Sequence, residues 1–334
     1  ADLVLLGRSL VADPFWPKKV LEGREDDIVP CIRCNNCYHI ATEHFNTCCT
    51  VNPRVYRENR VPLTLPRAQT ARSVVVVGGG PAGLKAALTA AQRGHQLTLV
   101  EQSGALGGLM IPASVGAFKE DLRRYLSYLR RQVEKSQIHV MLHTRADRAL
   151  LEHLHPDAVI LAVGGRAVMP PVPGLGTSGA VQAVALLNAG LETAGTRVTI
   201  LGGGSIGCEL ALELAALDRM VTVVELRDKL AANGNELYRQ DLMLHLEQET
   251  RITILTQTVC TGVTAQGCTV REKDGGTRVI PHDTFVIAAG LRADADAVEA
   301  LYGVVPETYY VGDCKRAASI TEATTEAYFL GASL

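Results

Sequence analysis

The chain has 334 residues, enough for two or three domains, and its composition excludes several functions. Hydrophobic residues make up 47% and charged residues 20%, which is ordinary for a globular protein. The formal net charge of −2 gives no overall attraction to nucleic acid or to an anionic membrane. No apolar run approaches the roughly 20 residues that a membrane-spanning helix needs. We therefore predict no nucleic-acid partner and no membrane partner.

The first predicted elements are a short apolar strand and a short helix. Leu3–Leu6 is apolar and needs neighbouring strands to bury it. Gly7 and Arg8 follow, and a helix is predicted from Trp16 to Leu21. Because the sequence opens within this strand and without a Met, we expect the chain to be the C-terminal portion of a longer protein.

Five of the nine cysteines lie between residues 31 and 49. Cys31, Cys34 and Cys37 are separated by two residues each, so that one loop can hold three corners of an iron–sulfur cluster. Cys48 and Cys49 both lie at a suitable distance to be the fourth ligand. A four-cysteine zinc site is the alternative, although zinc sites usually use two separated pairs. The crowding predicts one metal site in a cytoplasmic chain rather than a secreted disulfide framework.

A pattern of strand, glycine loop and helix occurs twice after an extended linker at residues 61–67. The first loop follows an apolar strand ending at Val77, and the second follows one ending at Leu201. In each copy a further apolar strand ends in an acidic residue, Glu101 or Glu225, 23 positions after the first glycine of the loop. Strands that alternate with helices predict an α/β fold with two doubly wound, Rossmann-like domains.

Each loop has the composition of a dinucleotide-binding turn. The first glycine permits the tight turn, the second lets a pyrophosphate approach the backbone, and the third lets the helix pack on the strand. The N–H groups at the start of the helix can then bind the phosphates, and the acidic residue can bind the ribose hydroxyls. The predicted residues are Gly78, Gly79, Gly80, Pro81, Ala82, Gly83, Glu101 and Gln102 for the first loop, and Gly202, Gly204, Ser205, Ile206, Gly207, Glu225 and Arg227 for the second.

Three further segments complete the pattern. Apolar strands that end in small residues are predicted at 159–165 and 285–290. A helix between the two copies is predicted from apolar residues at helical spacing, which are Phe118, Leu122, Tyr125, Leu126, Leu129 and Val133.

With these motifs the sequence resembles the flavoproteins that contain two dinucleotide-binding domains. In that family the first copy binds FAD and the inserted copy binds NAD(P)H. Gly107 and Gly108 match the family's second FAD-contacting turn, and Gly312 and Asp313 match a late motif whose Asp holds the FAD ribityl chain. Because this motif follows the second copy, the resemblance implies an FAD domain that is split around the inserted NAD(P)H domain.

The choice between NADH and NADPH stays open in the sequence. The charge of Glu225 repels a 2′-phosphate, which favours NADH, whereas Arg227 could receive NADPH. Many members of the flavoprotein family pass electrons to a redox disulfide. The sequence has no paired cysteines between Leu106 and Val133, so we do not expect a dithiol reductase.

Over essentially its whole length the sequence resembles a multidomain family that includes 2,4-dienoyl-CoA reductase, trimethylamine dehydrogenase and the bile-acid enoate reductases. The resemblance rests on Gly7-Arg8, Asp13-Pro14, Glu22-Gly23, Pro30-Cys31 and Val51-Asn52-Pro53. In that family a (β/α)₈ barrel of the Old Yellow Enzyme type, carrying FMN, precedes a [4Fe–4S] loop and then the FAD and NAD(P)H domains.

This second resemblance implies a ligand set and a phosphate site. It selects Cys49, three residues before the Asn of the Asn-Pro pair, as the fourth cluster ligand beside Cys31, Cys34 and Cys37. It also makes Leu3–Arg8 the last barrel strand, with Gly7 and Arg8 as candidates to bind the FMN phosphate.

The implied domains are the end of the barrel at 1–25, the [4Fe–4S] loop and linker at 26–72, the FAD domain at 73–165 and 285–334, and the inserted NAD(P)H domain at 166–284. The implied activity is that of an NAD(P)H-dependent iron–sulfur flavoprotein oxidoreductase. Electrons would pass via FAD and the cluster to FMN, which would reduce a small-molecule substrate, an α,β-unsaturated carbonyl or enoyl thioester. No side chain of this segment is expected to act as a general acid or base.

Two other functions remain open. One is an amine dehydrogenase of the trimethylamine type, in which electrons leave toward a carrier protein. The other is a non-catalytic electron-transfer module that acts on a partner subunit. The sequence leaves the substrate and the oligomeric state undecided, with a homo-oligomer as one option.

Overall fold

A computed structural model describes residues 2–42, 48–232 and 234–334 of the chain, with the backbone alone for residues 40–42. Residues 43–47 of the predicted cluster loop therefore lie outside the described residues. Within the described ranges no helix is both long enough and apolar enough to cross a membrane.

Helices and strands alternate along most of the chain after residue 72. The α-helices are α1 (Arg8–Ala12), α2 (Trp16–Leu21), α3 (Asn36–Thr42), α4 (Pro81–Gln92), α5 (Met110–Ala113), α6 (Glu120–Glu134), α7 (Arg148–Leu154), α8 (Ala183–Ala189), α9 (Ser205–Ala216), α10 (Glu236–Gln248), α11 (Ala295–Glu299) and α12 (Ile320–Ser333). The strands are β1 (Ser73–Val77), β2 (Gln96–Val100), β3 (His139–Met141), β4 (Ala158–Leu161), β5 (Gly165–Ala167), β6 (Val181–Gln182), β7 (Arg197–Leu201), β8 (Met220–Val224), β9 (Ile252–Leu255), β10 (Val259–Val263), β11 (Gly267–Arg271), β12 (Thr277–Pro281), β13 (Thr284–Ile287), β14 (Leu291–Ala293) and β15 (Glu307–Tyr310).

The chain divides into two compact units. The first unit comprises Ala1–Ile111, Glu120–Arg166 and Arg292–Leu334, and the second comprises Pro112–Lys119 and Ala167–Leu291. Each unit contains a five-stranded parallel sheet with helices packed on it. The second unit is inserted in the first. This confirms the predicted α/β fold of two Rossmann-like domains, one within the other.

The sheet of the first unit has the strand order β15-β4-β1-β2-β3. Its central strand β1 is a run of valines that pairs in parallel with β2 and β4. Because side chains alternate along a strand, Val74 and Val76 pack against α4, α6 and α12, whereas Val75 and Val77 pack on the opposite face against α7. Burial on both faces explains why the strand is continuously apolar.

The sheet of the second unit repeats this design with the order β6-β13-β7-β8-β9. Its helical face buries Val198 and Ile200 of β7 against α8, α9 and α10. Its other face is covered by the antiparallel sheet β10-β11-β12, whose Cys268 and Val270 pack against Phe285 and other residues of the parallel sheet. The insertion therefore has a three-stranded layer where the first unit has helix α7.

The predicted strand at Leu3–Leu6 is not formed. The side chains of Leu3 and Leu5 are 89% and 99% exposed, and none of the described residues pairs with this segment. A strand requires a neighbour to share its backbone hydrogen bonds. Arg8, which we predicted at the end of that strand, begins the short helix α1 instead.

Two boundaries along the chain also differ from the sequence prediction. We expected the return to the first unit at residue 285, but β13 pairs with β7 in the second sheet, and the chain returns at Arg292. The reason is that β13 supplies a central strand that the second sheet needs between β6 and β7. Phe118 lies before α6 and is half-exposed, whereas Tyr125, Leu126, Leu129 and Val133 of that helix are buried as expected.

Candidate functional site

The first glycine loop joins β1 to α4 in the first unit. Gly78 has a φ of +105°, and a Cβ atom there would lie 2.2 Å from the carbonyl oxygen of Ala162. A Cβ atom at Gly83 would lie 1.8 Å from the carbonyl oxygen of Gly78. Both positions therefore require glycine. At Gly80 a Cβ atom would meet nothing within 4 Å, so the loop is open at the start of the helix.

Glu101, at the end of β2, holds this loop in place. Its carboxylate accepts hydrogen bonds from the backbone N–H groups of Gly79 at 2.7 Å and of Ser103 at 2.7 Å, and the residue is 7% exposed. Each carboxylate oxygen keeps a further lone pair that could accept a hydrogen bond from a ribose hydroxyl. The neighbouring Gln102 is exposed. The acidic residue is thus fixed beside the loop, as a dinucleotide site requires.

The second glycine loop, between β7 and α9, repeats this geometry in the second unit. Gly202 has a φ of +113°, and a Cβ atom at Gly207 would lie 2.0 Å from the Gly202 carbonyl oxygen. Glu225 accepts hydrogen bonds from the N–H groups of Gly203 at 2.6 Å and of Arg227 at 2.8 Å. Glu225 is half-buried, and the Arg227 side chain is exposed.

The two helices that follow the loops begin without side-chain caps. Gly80 and Gly204 are the N-cap residues, and neither can provide a capping side chain. The first helical residues are Pro81 and Ala82 in α4, and Ser205 and Ile206 in α9. The N–H groups of each first turn have no partner within the helix, so they can bind a phosphate.

The second predicted FAD turn lies against the first glycine loop. The Gly107 N–H donates a hydrogen bond to the Gly79 carbonyl at 2.7 Å. A Cβ atom at Gly108 would lie 2.9 Å from the Cα atom of Gly80. Gly107 and Gly108 both have positive φ, which favours glycine. The structure thus places this turn at the loop, close to the point where the loop is open.

The late motif also reaches the first glycine loop from far along the chain. Gly312 has a φ of +72°, and a Cβ atom there would lie 2.8 Å from the Cβ atom of Ala82. Asp313 follows, and its carboxylate accepts a hydrogen bond from the Ala318 N–H at 3.1 Å. Burial raises the pKa of Asp313. All the residues that we predicted to bind FAD are therefore found in the first unit.

The four cysteines that we predicted as cluster ligands line one small cavity in the first unit: Cys31, Cys34, Cys37 and Cys49. We call this the cysteine cavity. Burial raises the pKa of Cys37, and it raises the pKa of Cys49 to about 11. The charge of Cys34 contributes to both increases, so these thiols lie close enough to influence one another. Cys48 is partly buried and is not among the described residues that line the cavity.

Donor chemistry decides what the cysteine cavity can hold. Among the described residues, no group of three or more His, Cys, Asp or Glu side chains is arranged so that it could hold a metal ion. A cluster of several irons holds its thiolates further apart than one ion does, and four cysteine sulfurs are its usual donors. Within the described residues the Tyr125 hydroxyl, buried in the same core as Cys49, has no hydrogen-bond partner. The donor set is the one that a four-thiolate cluster requires.

Gly7 and Arg8, which we predicted to bind the FMN phosphate, lie at the start of α1. The Arg8 guanidinium donates a hydrogen bond to the Asn35 side chain. Arg8 is exposed, and it also lines the cysteine cavity. The structure therefore brings these two predicted sites together.

An ion pair in the second unit was missed by the sequence analysis. Lys119 Nζ lies 2.6 Å from Glu209 Oε1, and the Tyr238 hydroxyl donates a hydrogen bond to the same oxygen. The pair helps to hold Pro112–Lys119 in the second unit. The sequence offered one signal that Glu209 merits attention. This charged residue lies seven positions after Gly202, on the helix that follows the second glycine loop.

Comparison with known proteins agrees with this geometry. The family model described as pyridine nucleotide-disulphide oxidoreductase matches residues 72–327. The chain is 34% identical over 330 residues to bilirubin reductase of Mediterraneibacter gnavus, covering 98% of this chain and 50% of the relative. It is 30% identical over 330 residues to cinnamate reductase of Clostridium sporogenes, covering 98% of this chain and 49% of the relative.

A solved structure of 2-naphthoyl-CoA reductase matches with a TM-score of 0.92 at 29% identity, covering 98% of this chain and 50% of that chain. The chain thus spans about half the length of the relatives that it matches.

Proposed function

Because the chain belongs to the pyridine nucleotide-disulphide oxidoreductase family, we propose that it carries electrons from NAD(P)H through FAD to a [4Fe–4S] cluster. The cluster ligands are Cys31, Cys34, Cys37 and Cys49. The electrons continue to FMN in a barrel outside this chain, where an α,β-unsaturated carbonyl or enoyl thioester is reduced. The observation that carries the proposal is that these four cysteines line one cavity, in the unit that also contains the first glycine loop.

The first unit provides the FAD site in this proposal. The glycine loop at 78–83 and the turn at Gly107 and Gly108 leave backbone N–H groups for the pyrophosphate. Glu101 orients the adenosine ribose through its free lone pairs, and Asp313 holds the ribityl chain. Close packing at Gly78, Gly83, Gly108 and Gly312 supports this role, because a Cβ atom at each of these positions would lie less than 3.0 Å from a backbone or side-chain atom.

The second unit provides the NAD(P)H site. Its glycine loop at 202–207 receives the pyrophosphate, and Glu225 receives the ribose hydroxyls. The Glu225 carboxylate is fixed by two backbone N–H groups, so its negative charge stays where a 2′-phosphate would lie. This favours NADH over NADPH.

When bound, FAD accepts a hydride from the nicotinamide, and the cluster carries electrons singly toward the second flavin. The chain itself contributes placement. Its glycines let the nucleotides approach the backbone, its two glutamates orient the riboses, and its thiolates hold the cluster. No side chain of this chain acts as a general acid or base in the proposal.

The names of two relatives support the reductase over the amine dehydrogenase. Bilirubin reductase and cinnamate reductase are named for reductions, and cinnamate contains a C=C bond conjugated to a carboxyl group. Both relatives match 98% of this chain. We therefore favour a substrate with a conjugated C=C bond.

Anaerobic addition of NADH to the purified chain, followed by visible absorbance, tests the proposed electron path. We expect loss of the flavin bands first and slower loss of cluster absorbance afterwards. Reduction of the flavin with an unchanged cluster would contradict the path, and so would colourless protein that contains zinc. Failure of NADH to reduce the flavin would instead favour the amine dehydrogenase type.

A matched pair of variants tests the ligand set. Cys49→Ser removes a proposed ligand, so we expect the iron content to fall severalfold, whereas Cys48→Ser should leave it unchanged. Iron and acid-labile sulfide per chain are the measurements. Equal iron loss in both variants would reject Cys49 as the specific fourth ligand.

A further inference from the structure

Lys85 lies on α4, two residues after the first glycine loop. Its side chain extends toward the segment that follows Cys49. Its Nζ atom lies 3.5 Å from the carbonyl oxygen of Val51, two residues after Cys49. It also lies 5.4 Å from the ring centre of Tyr328, which is buried. Helix α4 starts at the proposed FAD loop and therefore places a positively charged side chain beside the segment that contains Cys49.

This cation has no acidic partner in the described part of the chain. No carboxylate oxygen described here lies within 4 Å of Lys85 Nζ, and burial lowers the pKa of Lys85 to about 8. The one charge that opposes this decrease is that of Cys49. Lys85 is partly buried, and an ammonium group that loses part of its hydration without gaining a counter-charge is destabilised. A negative charge at the cysteine cavity would remove that cost.

The second unit shows what the equivalent position does elsewhere in this molecule. Lys85 lies seven positions after Gly78, and Glu209 lies seven positions after Gly202, each at the same point of the helix after its loop. Glu209 is compensated within its own unit by Lys119 and by the Tyr238 hydroxyl. The charge at this helical position is therefore matched by a partner in one unit and lacks one among the described residues of the other.

We propose that Lys85 is the counter-charge of the iron–sulfur cluster and that its ammonium group raises the reduction potential of the cluster. The inference rests on the proposed function, since it needs a cluster in the cysteine cavity. Four thiolates make a ligated cluster anionic, and reduction adds one further negative charge. A nearby cation stabilises the reduced form more than the oxidised form, and net charge is one of the factors that set such potentials. Lys85 is thus a positioning and tuning residue rather than a ligand.

The test is a redox titration of the cluster in Lys85→Met, monitored by electron paramagnetic resonance. Met has a similar volume and no charge, so the helix should keep its packing. We expect the equilibrium constant for cluster reduction to fall about tenfold, which corresponds to a 59 mV decrease for one electron. Lys85→Arg keeps the charge and should stay near the wild-type potential. An unchanged potential in Lys85→Met would overturn the inference.

Lys273→Met is the matched control, because Lys273 is an exposed lysine of the second unit. This variant makes the same chemical change away from the cluster, so the reduction potential of its cluster should equal that of the wild type. An equal decrease in Lys85→Met and Lys273→Met would overturn the specific role of Lys85. If Lys85→Met loses its cluster while Lys85→Arg retains both cluster and FAD, the counter-charge role is supported.

The wild-type protein separates the two possible failures. If wild-type protein contains no iron–sulfur cluster, the proposed function is wrong, and the role of Lys85 falls with it. If wild-type protein contains the cluster but Lys85→Met titrates at the same potential, only the inference on Lys85 is wrong.

Discussion

The two glycine loops of this chain have almost the same local structure in different surroundings. Gly78 and Gly202 have φ values of +105° and +113°, and the third glycine of each loop packs on the carbonyl of the first. The acidic residues Glu101 and Glu225 accept equivalent pairs of backbone hydrogen bonds. The two sites therefore share the same glycine turn and the same glutamate contacts. Any difference between them must come from the residues around the turn.

The surroundings differ in burial and in charge. Glu101 is buried, whereas Glu225 is half-buried with the exposed Arg227 beside it. In the first unit, α12 packs so closely on α4 that a Cβ atom at Gly331 would lie 2.8 Å from the Ala86 carbonyl oxygen. The comparison teaches that the same backbone turn can be placed in two different surroundings within one chain. Substitutions at matched positions should therefore have separable effects.

The largest effect is expected from replacing the third glycine of each loop. Gly83→Ala and Gly207→Ala each place a methyl group about 2 Å from a carbonyl oxygen, so the loop must move. Overpacking of this kind costs about 1–3 kcal/mol, which would be about fivefold to 150-fold if it all appeared in affinity. Gly83→Ala should lose FAD, and Gly207→Ala should keep FAD but be reduced slowly by NADH. Flavin content and stopped-flow reduction measure the two outcomes, and loss of FAD in both variants would break the comparison.

The next effect concerns the ion pair of Lys119 and Glu209 in the second unit. Lys119 and Glu209 are each about one-fifth exposed, and Glu209→Gln leaves the lysine without its carboxylate. We expect the free energy of unfolding to fall by about 1–2 kcal/mol. Urea unfolding measures it. A double-mutant cycle with Lys119→Met should show coupling of the two residues, and strictly additive effects would show that the pair contributes nothing.

A smaller effect is expected on the choice of nicotinamide cofactor. Glu225→Gln removes the charge that opposes a 2′-phosphate, so the affinity for NADPH relative to NADH should rise about fivefold, or about 1 kcal/mol. The matched variant Glu101→Gln should leave this ratio unchanged and weaken FAD binding. Titration of each nucleotide by fluorescence measures the ratios. An identical NADPH shift in both variants would show that Glu225 does not determine the preference.

The smallest effect is expected at the start of α12, which only the first unit contains. Ser319 and Glu322 form a capping box. The Ser319 side chain accepts a hydrogen bond from the backbone of Glu322, and the Glu322 side chain accepts one from the backbone N–H of Ser319. Ser319→Ala should lower the free energy of unfolding by about 1 kcal/mol. Reduction by NADH should stay unchanged, because α12 contributes no residue to the second loop. A change in the NADPH-to-NADH ratio would show that the units are not independent in this respect.

The sequence predicted the parts of the molecule that depend on short stretches of chain. A glycine loop needs only its strand, its helix and the acidic residue after the next strand, and all of these lie within about 25 residues of one another. The spacing of Cys31, Cys34 and Cys37 is equally local. The fold class followed from the repetition of these units, because alternating strands and helices have few ways to pack.

Features that depend on distant residues were not predictable in the same way. The pairing of β13 with β7 moved the unit boundary to Arg292, and nothing within β13 itself indicates which sheet it joins. The approach of Lys85 to Val51 and the pairing of Lys119 with Glu209 each join segments more than 30 residues apart. Leu3–Leu6 looked like a strand because it is apolar, but an apolar run forms a strand only when a partner strand is present.

The order of strands in the first sheet has a consequence for how the chain is made. The edge strand β15 comes from residues 307–310, whereas its neighbour β4 and the next strand β1 come from residues before 162. During synthesis the first unit must therefore wait for the last part of the chain, while residues 167–291 of the insertion can emerge and collapse earlier. The first unit therefore begins to be synthesised before the insertion and is completed after it. A ribosome stalled far enough beyond residue 291 for the insertion to clear the exit tunnel should carry a protease-resistant insertion and an unfinished, exposed host sheet.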